Sequence, residues 1–225
     1  MERLHFEDEL KTLKQRLLNM GALVEERVHR AVLALMERRP ELAEEVIAAD
    51  QEINDLQIEI DDRALKLLAL QAPMATDLRL ITSAMKINAD LERIGDQAVN
   101  IAQNAVKLLN HPPIKPIIDI PRMAEAAQDM TRDALDSFVK KDVEMARGVL
   151  KRDDEVDALK DAVFRVLLTY MMADPATIER AIGLILVSRN LERIADHATN
   201  IAEDVIFMVL GKDIRHGHGL PAQSQ

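Results

Sequence analysis

The chain has 225 residues, a formal net charge of −10 at pH 7, 48% hydrophobic residues and only 2% aromatic residues. The negative charge argues against a nucleic-acid partner, because such binding is driven largely by basic surface. The absence of cysteine excludes disulfides and thiolate metal sites. Residues 2–16 are too charged for a signal peptide, and no apolar run approaches the roughly 20 residues that span a bilayer. We therefore expect a cytoplasmic protein with an aliphatic core.

Eight prolines divide the chain, and each long proline-free span carries a helical pattern. Proline in a helix interior costs about 3 kcal/mol, so prolines mark the joints between helices. The first span repeats apolar residues with the helical period, beginning at Leu10, Leu13 and Leu17. Asp174 and Pro175 supply an N-cap and a first-turn proline to the last span. The spans predict six helices, at 4–38, 41–71, 75–109, 121–140, 143–172 and 176–210.

The segment 111–120 is rich in proline and has no helical period, which predicts a linker. Three helices precede it and three follow it. The predicted fold is therefore all-α, with two tandem, pseudo-symmetric three-helix bundles. Their predicted boundaries are 1–110 for the first bundle, 111–120 for the linker, 121–212 for the second bundle and 213–225 for a flexible tail.

An internal repeat supports this duplication. Residues 91–102 and 191–202 are identical at nine of 12 positions, 100 residues apart, and residues 141–146 echo residues 38–43 at an offset of 103. Each copy of the longer repeat contains a Glu followed four residues later by an Asp. That spacing puts both carboxylates on one face of a helix, about one turn apart. On the third helix this acidic stripe borders the buried stripe.

Hairpin geometry brings further acidic residues to the same level. If helices two and three turn back at Pro73, residues whose numbers sum to about 146 lie side by side. In the second half, helices five and six turn back at Pro175, and residues whose numbers sum to 349 lie side by side. The resulting pairs are Asp50 with Asp96 and Asn54 with Glu92 in the first half, and Asp153 with Asp196 and Asp157 with Glu192 in the second.

Carboxylates that meet at one level repel each other, and a cation would relieve the repulsion. Oxygen-only ligands suit hard ions such as Fe³⁺, Mg²⁺, Mn²⁺ or Ca²⁺. Ligand charge predicts that the second-half set, with four carboxylates, binds more tightly than the first-half set, in which Asn54 is neutral. The alternative is a metal-free acidic edge paired to Arg93 and Arg193. Like charges spaced i,i+4 cost only about 0.2–0.5 kcal/mol, so repulsion alone does not decide between them.

Histidines give weaker signals. Glu26 and His29 have the spacing of a di-iron bundle, but such a site needs a second copy and two more Glu, so we expect surface residues. His197 is expected to face a partner or the edge of the core. His216 and His218 belong to the predicted tail. Without a glycine-rich phosphate loop or a nucleophile-and-base arrangement, the sequence predicts no enzyme.

Residues 71–81 with 90–96, and residues 190–203, resemble the two repeats of PhoU, a family of bacterial phosphate-signalling regulators. The resemblance covers nearly the whole chain. It implies two three-helix bundles, a cytoplasmic homodimer and metal clusters on Glu/Asp-x-x-x-Asp motifs, with iron first and Mg, Mn or Zn as alternatives. Those motifs fall on Glu92/Asp96, Asp153/Asp157 and Glu192/Asp196, whereas Asn54 breaks the match after Asp50.

The resemblance also implies a function. It predicts a negative regulator of the phosphate-starvation response that acts as an adaptor. Its partners would be the ATPase subunit of the high-affinity phosphate ABC transporter and the phosphate sensor histidine kinase, with only peripheral membrane association through them. A purely structural helical interaction module without metal is the alternative. An oxygen-activating metal enzyme is disfavoured, because the core Glu-x-x-His pairs are missing.

Overall fold

The computed structural model describes residues 2–71, 73–114 and 119–215, and these residues contain helices and no strand. The two tandem three-helix bundles are confirmed. No described helix is both long and apolar enough to cross a membrane. The helices are α1 Glu2–Glu37, α2 Pro40–Ala48, α3 Asp50–Gln71, α4 Ala75–Leu109, α5 Asp119–Lys140, α6 Val143–Ala173 and α7 Ile178–Leu210, with a 3₁₀ turn at Pro175–Thr177.

The second predicted helix, 41–71, is in fact two helices that meet at Ala49. The backbone of Ala49 leaves the helical region, with φ −93° and ψ 6°. Its N–H donates to the carbonyl of Glu45 at 3.1 Å, and its own carbonyl accepts from the N–H of Glu52 at 3.2 Å. No glycine or proline marks this position, so the sequence pattern carries no sign of the break. The break starts α3 at Asp50, the first of the predicted site residues.

The first helix of each bundle ends in the same way. Arg38 after α1 and Lys141 after α5 have positive φ values of 58° and 55°. The next N–H in each case reaches back five residues, from Arg39 to the Ala34 carbonyl and from Asp142 to the Ser137 carbonyl, both at 3.0 Å. This closure is a Schellman motif, which normally places glycine at the positive-φ position. The two positions are 103 residues apart, so the duplication seen in the sequence is repeated in the backbone.

The two repeat-bearing helices, α4 and α7, pack against each other at the centre of the molecule. Helix α4 also contacts α1, α2 and α3, and α7 also contacts α5 and α6. Leu91 and Ile94 of α4 and their counterparts Leu191 and Ile194 of α7 are completely buried. The buried residues of both halves form one continuous hydrophobic core. The two bundles therefore share one core.

Polar contacts cross the interface between α4 and α7. The Lys86 ammonium lies 2.9 Å from Oδ1 of Asp204, a residue that is only 6% exposed. Ser83 Oγ donates to the Asp204 carbonyl at 3.2 Å. Burial raises the pKa of Asp204, and the charge of Lys86 opposes that rise. Because a buried carboxylate without a cation is unfavourable, Lys86 stabilises the joint between the bundles.

We predict that Lys86→Met lowers the free energy of unfolding at pH 7 by about 1–2 kcal/mol, because Asp204 then stays buried without its cation. The raised pKa of Asp204 means that the folded chain binds a proton more readily than the unfolded chain. The defect should therefore shrink as the pH falls. Urea unfolding at pH 7 and pH 5 measures both effects.

The matched control is Lys140→Met, which removes a lysine paired to an exposed carboxylate, that of Asp136, on α5. Its effect should stay within about 0.5 kcal/mol. Adding Asp204→Asn to Lys86→Met should recover most of the loss. Equal destabilisation by the two lysine variants would contradict the assigned role of Lys86.

Candidate functional site

The first-half set of predicted site residues lies between α3 and α4. Asp50 begins α3, and Asn54 one turn later donates from Nδ2 to Asp50 Oδ2 at 3.4 Å. Burial raises the pKa of Glu92, and the charges of Asp96 and Asp50 raise it further. The pKa of Asp96 is raised by burial and then by the charge of Asp50. These carboxylates therefore lie close enough to repel one another, as the hairpin argument predicts.

The second-half set lies between α6 and α7 and is also brought together. Burial raises the pKa of Asp196 to about 6, with further contributions from the charges of Glu192, Asp153 and Asp157. The pKa of Asp153 is raised by burial and then by Asp157. All four predicted carboxylates therefore influence one another electrostatically across this hairpin.

Lys160 is a member of the second-half set that the sequence analysis missed. Its ammonium contacts Asp157 Oδ1 at 2.6 Å and Glu192 Oε1 at 3.0 Å, and so bridges α6 and α7. These two contacts raise the pKa of Lys160 above its usual range. A cation thus already lies between two of the four carboxylates. At the offset of 103 that relates the bundles, the first-half counterpart of Lys160 is the neutral Gln57.

The two sets consequently carry the same formal charge. The first has three carboxylates, and the second has four carboxylates and one ammonium. Aligning α3 with α6 at the offset of 103 reveals this equality from the sequence, because Asn54 and Gln57 on α3 correspond to Asp157 and Lys160 on α6. The expected partner Arg93 acts on Glu92 and Asp96 only at a distance, where its charge opposes the rise in their pKa. Among the described residues, no ion pair joins Arg93 or Arg193 to these carboxylates.

Asn88 fixes the register of the α3–α4 hairpin. Its Nδ2 donates to the Gln57 carbonyl and to Asp61 Oδ1, both at 2.9 Å. For a hairpin that turns at Pro73, residues side by side should have numbers that sum to about 146. Asn88 with Gln57 gives 145 and Asn88 with Asp61 gives 149, so the observed register agrees with the predicted one. Asn88 is completely buried. Its Oδ1, one turn before Glu92 on α4, has no hydrogen-bond partner in the described part of the chain.

The donor chemistry fits a hard cation, but the side chains are not closed around one. Within residues 2–71, 73–114 and 119–215, no three His, Cys, Asp or Glu side chains are arranged to hold a metal ion. The carboxylates of both sets nevertheless offer oxygen ligands, and burial, with neighbouring carboxylate charges as a smaller cause, raises the pKa of Glu92 and of Asp196. Binding an ion therefore requires side-chain rotation in either set, and in the second set the release of Lys160.

The remaining histidine predictions have simple outcomes. His29 is exposed, and Glu26 forms an ion pair with Arg30 at 2.6 Å, so both are surface residues as expected. His197 lies at the edge of the core, where Nδ1 is 2.8 Å from Asp90 Oδ1 across the α4–α7 interface. Residues 216 and 218 lie outside the described residues.

Comparison with known proteins matches the same duplication. The family model described as "PhoU domain" matches residues 17–105 and again residues 120–205. A phosphate-specific transport system accessory protein PhoU homolog of Pseudomonas putida is 42% identical over 94% of this chain and 83% of its own length. The homolog of Aquifex aeolicus is also 42% identical, over 93% of this chain and 95% of its own length.

Solved structures agree with the sequence relatives. The crystal structure of PhoU from Pseudomonas aeruginosa superposes with a TM-score of 0.89 and 40% identity, covering 92% of this chain and 99% of that one. The phosphate transport system regulatory protein PhoU from Streptococcus pneumoniae superposes with a TM-score of 0.85 and 31% identity, covering 92% and 98%. The match over both bundles, in sequence and in structure, means that the chain belongs to the PhoU family.

Proposed function

We propose that this protein is a negative regulator of the phosphate-starvation response. The observation that carries the proposal is the double match to the PhoU domain, together with relatives named as accessory proteins of phosphate-specific transport. In this role the protein is a non-enzymatic, cytoplasmic adaptor. It contacts the ATPase subunit of the phosphate ABC transporter and the sensor histidine kinase, and it reaches the membrane only through them.

Deleting the gene should leave phosphate-starvation genes expressed when phosphate is plentiful, because the kinase loses its repressing partner. Transcript levels in high-phosphate medium measure this, and a plasmid copy of the wild-type chain should restore repression. Normal repression in the deletion strain would reject the regulatory role.

We also propose that the adaptor is a homodimer. Aromatic residues make up only 2% of the chain, so each small bundle buries a limited core of its own. Apolar side chains remain exposed along the α6–α7 hairpin. Phe164 and Leu168 of α6 are 48% and 42% exposed, and Ile178 and Ile182 of α7 are 42% and 48% exposed. Exposed apolar surface of this kind suits a protein interface.

Sedimentation at micromolar concentration should give twice the chain mass of 25.3 kDa. Replacing Leu168 and Ile182 by Glu should favour the monomer, because charges are costly in the core of an interface. Leu65→Glu, on the exposed face of α3, is the matched control. A wild-type protein that sediments as a monomer would refute the dimer.

The carboxylate sets are proposed to bind metal ions, with iron as the first candidate and Mg, Mn or Zn as alternatives. Asp50, Glu92 and Asp96 would hold an ion between α3 and α4. In the second half the ligands would be Asp153, Asp157, Glu192 and Asp196, between α6 and α7. A bound cation would neutralise the repelling carboxylates and fix the two helices of each hairpin. The oxygen-only donors, the raised carboxyl pKa values and the unpaired Asn88 Oδ1 support this proposal.

Lys160 changes the expected order of affinity. Carboxylate number alone favours the second-half set, but an ion there has to displace an ammonium that contacts Asp157 and Glu192. The first-half set has no such competitor, since Gln57 is neutral. We therefore propose that the first-half set binds metal more tightly as long as Lys160 is present.

The double variant Glu92→Ala/Asp96→Ala should therefore lose more metal than the double variant Glu192→Ala/Asp196→Ala. The single variant Lys160→Gln should increase the metal retained by the second-half set. Metal content per chain after dialysis, measured by mass spectrometry, checks all three proteins.

Lys140→Gln, which removes a lysine from α5 with no contact to either set, is the control and should leave the metal content unchanged. A larger loss in the Glu192 and Asp196 variant would refute the order. Metal-free wild-type protein, purified without chelator, would favour the alternative function, a purely structural helical interaction module.

A further inference from the structure

A cavity of about 400 Å³ lies where the two bundles meet, at the end of the molecule that contains the C-terminus of α4. Its walls come from the end of α1, the end of α4, residues 112–114 and the start of α7. Most of the lining is apolar, including Leu35, Leu108, Ile114 and Leu184. Its volume is in the range of sites that bind small molecules.

Two arginines line this cavity, one from each bundle. Arg38 Nη2 donates to the carbonyls of Leu109 and His111, at 2.7 and 2.9 Å. Arg180 Nη1 donates to the carbonyl of Pro112 at 2.9 Å. Both guanidinium groups are thus held in place beside the chain that leaves α4. Arg180 Nη2 also donates to the Ala176 carbonyl at 3.2 Å, and each guanidinium still carries more N–H donors than these contacts use.

Neither guanidinium has an acidic partner among the described residues, although the chain carries 39 acidic and 29 basic residues. Glu37 also lines the cavity, but its carboxylate lies 3.7 Å from Arg39. Arg39 in turn has a second acidic partner, Glu41, at 2.8 Å. In such an acidic protein, two arginines directed only at backbone carbonyls leave positive charge available next to an apolar cavity.

We infer that this cavity binds a small amphipathic anion, in which an apolar body carries one carboxylate or phosphate group. The apolar body would fill the space between Leu35, Leu108 and Leu184. The anionic group would accept hydrogen bonds from the guanidinium groups, whose planar geometry suits carboxylate and phosphate oxygens. The carbonyls that the arginines already contact fix the side chains, which lowers the entropy lost on binding.

The location gives such a ligand a specific effect. Arg38 belongs to the first bundle and Arg180 to the second, so one anion would join the two halves of the molecule. The inference does not depend on the proposed regulatory function or on the metal sites. It uses neither carboxylate set and none of the residues in them.

The test is isothermal titration calorimetry of the full chain with four probes. Octanoate and octyl phosphate carry both parts of the ligand, 1-octanol lacks the charge, and inorganic phosphate lacks the apolar body. We expect saturable binding of octanoate, octyl phosphate or both, and the stronger of the two identifies the anionic group. Equal binding of 1-octanol, equal binding of inorganic phosphate, or no saturation by either amphipathic anion up to about 1 mM would overturn the inference.

Variants show whether the arginines are responsible. Arg180→Gln and Arg38→Gln should each weaken binding roughly tenfold or more, because each removes a charge-assisted hydrogen bond. Arg39→Gln, a neighbouring arginine that does not line the cavity, should bind like the wild type. Arg180→Lys keeps the charge and should lose less than Arg180→Gln, which separates ligand binding from a role in folding alone. Unchanged binding in Arg180→Gln, or equal loss in Arg39→Gln, would assign the arginines only to holding the backbone carbonyls.

Discussion

The close packing of α4 against α7 is the constraint on which the rest of the structure depends. The two repeat-bearing helices bury matched faces, with Ala98 and Ala102 of α4 and Ala198 and Ala202 of α7 all completely buried. Small residues let two helix backbones approach closely, so each helix also has room for the others of its own bundle. The carboxylates of each repeat then lie on the side that faces the hairpin partner. The central packing therefore determines where both acidic sets lie.

Local patterns predicted the helices and the contacts within each hairpin, but not the packing of one bundle against the other. Proline positions gave the bounds of α4 correctly, and the hairpin register predicted which carboxylates meet. The break at Ala49 was missed because Ala48 and Ala49 have high helix propensity and no glycine or proline stands there, whereas α2 and α3 each pack against α1 and α4. Lys160 was missed because each repeat carries its own arginine, and Arg93 and Arg193 were the cations expected beside the carboxylates. The shared core was also missed, since amphipathic stripes show that a helix is buried without showing against which helix.

The two halves show how a duplicated site diverges without changing its overall charge. A neutral pair, Asn54 and Gln57, stands in one half where the other has Asp157 and Lys160. Adding an acid and a base together keeps the charge of the hairpin constant and adds a contact between α6 and α7. The same two positions decide whether an ammonium contacts the carboxylates of the hairpin, as Lys160 does in the second half. The duplication thus gives two acidic sets of equal formal charge, and only one of them contains a lysine.

The central position of α7 also has a consequence for how the chain folds as it is synthesised. Lys86 and Asp204 are 118 residues apart, and Ser83 contacts the backbone of Asp204 across 121 residues. While the first bundle emerges from the ribosome, the face of α4 that α7 will cover stays exposed to water. Long-range contacts of this kind form late, because the entropy of closing the intervening chain must be overcome first. The nascent first half therefore depends on α7, a helix of the second half, and a chain cut off before α7 would expose apolar surface to chaperones and proteases.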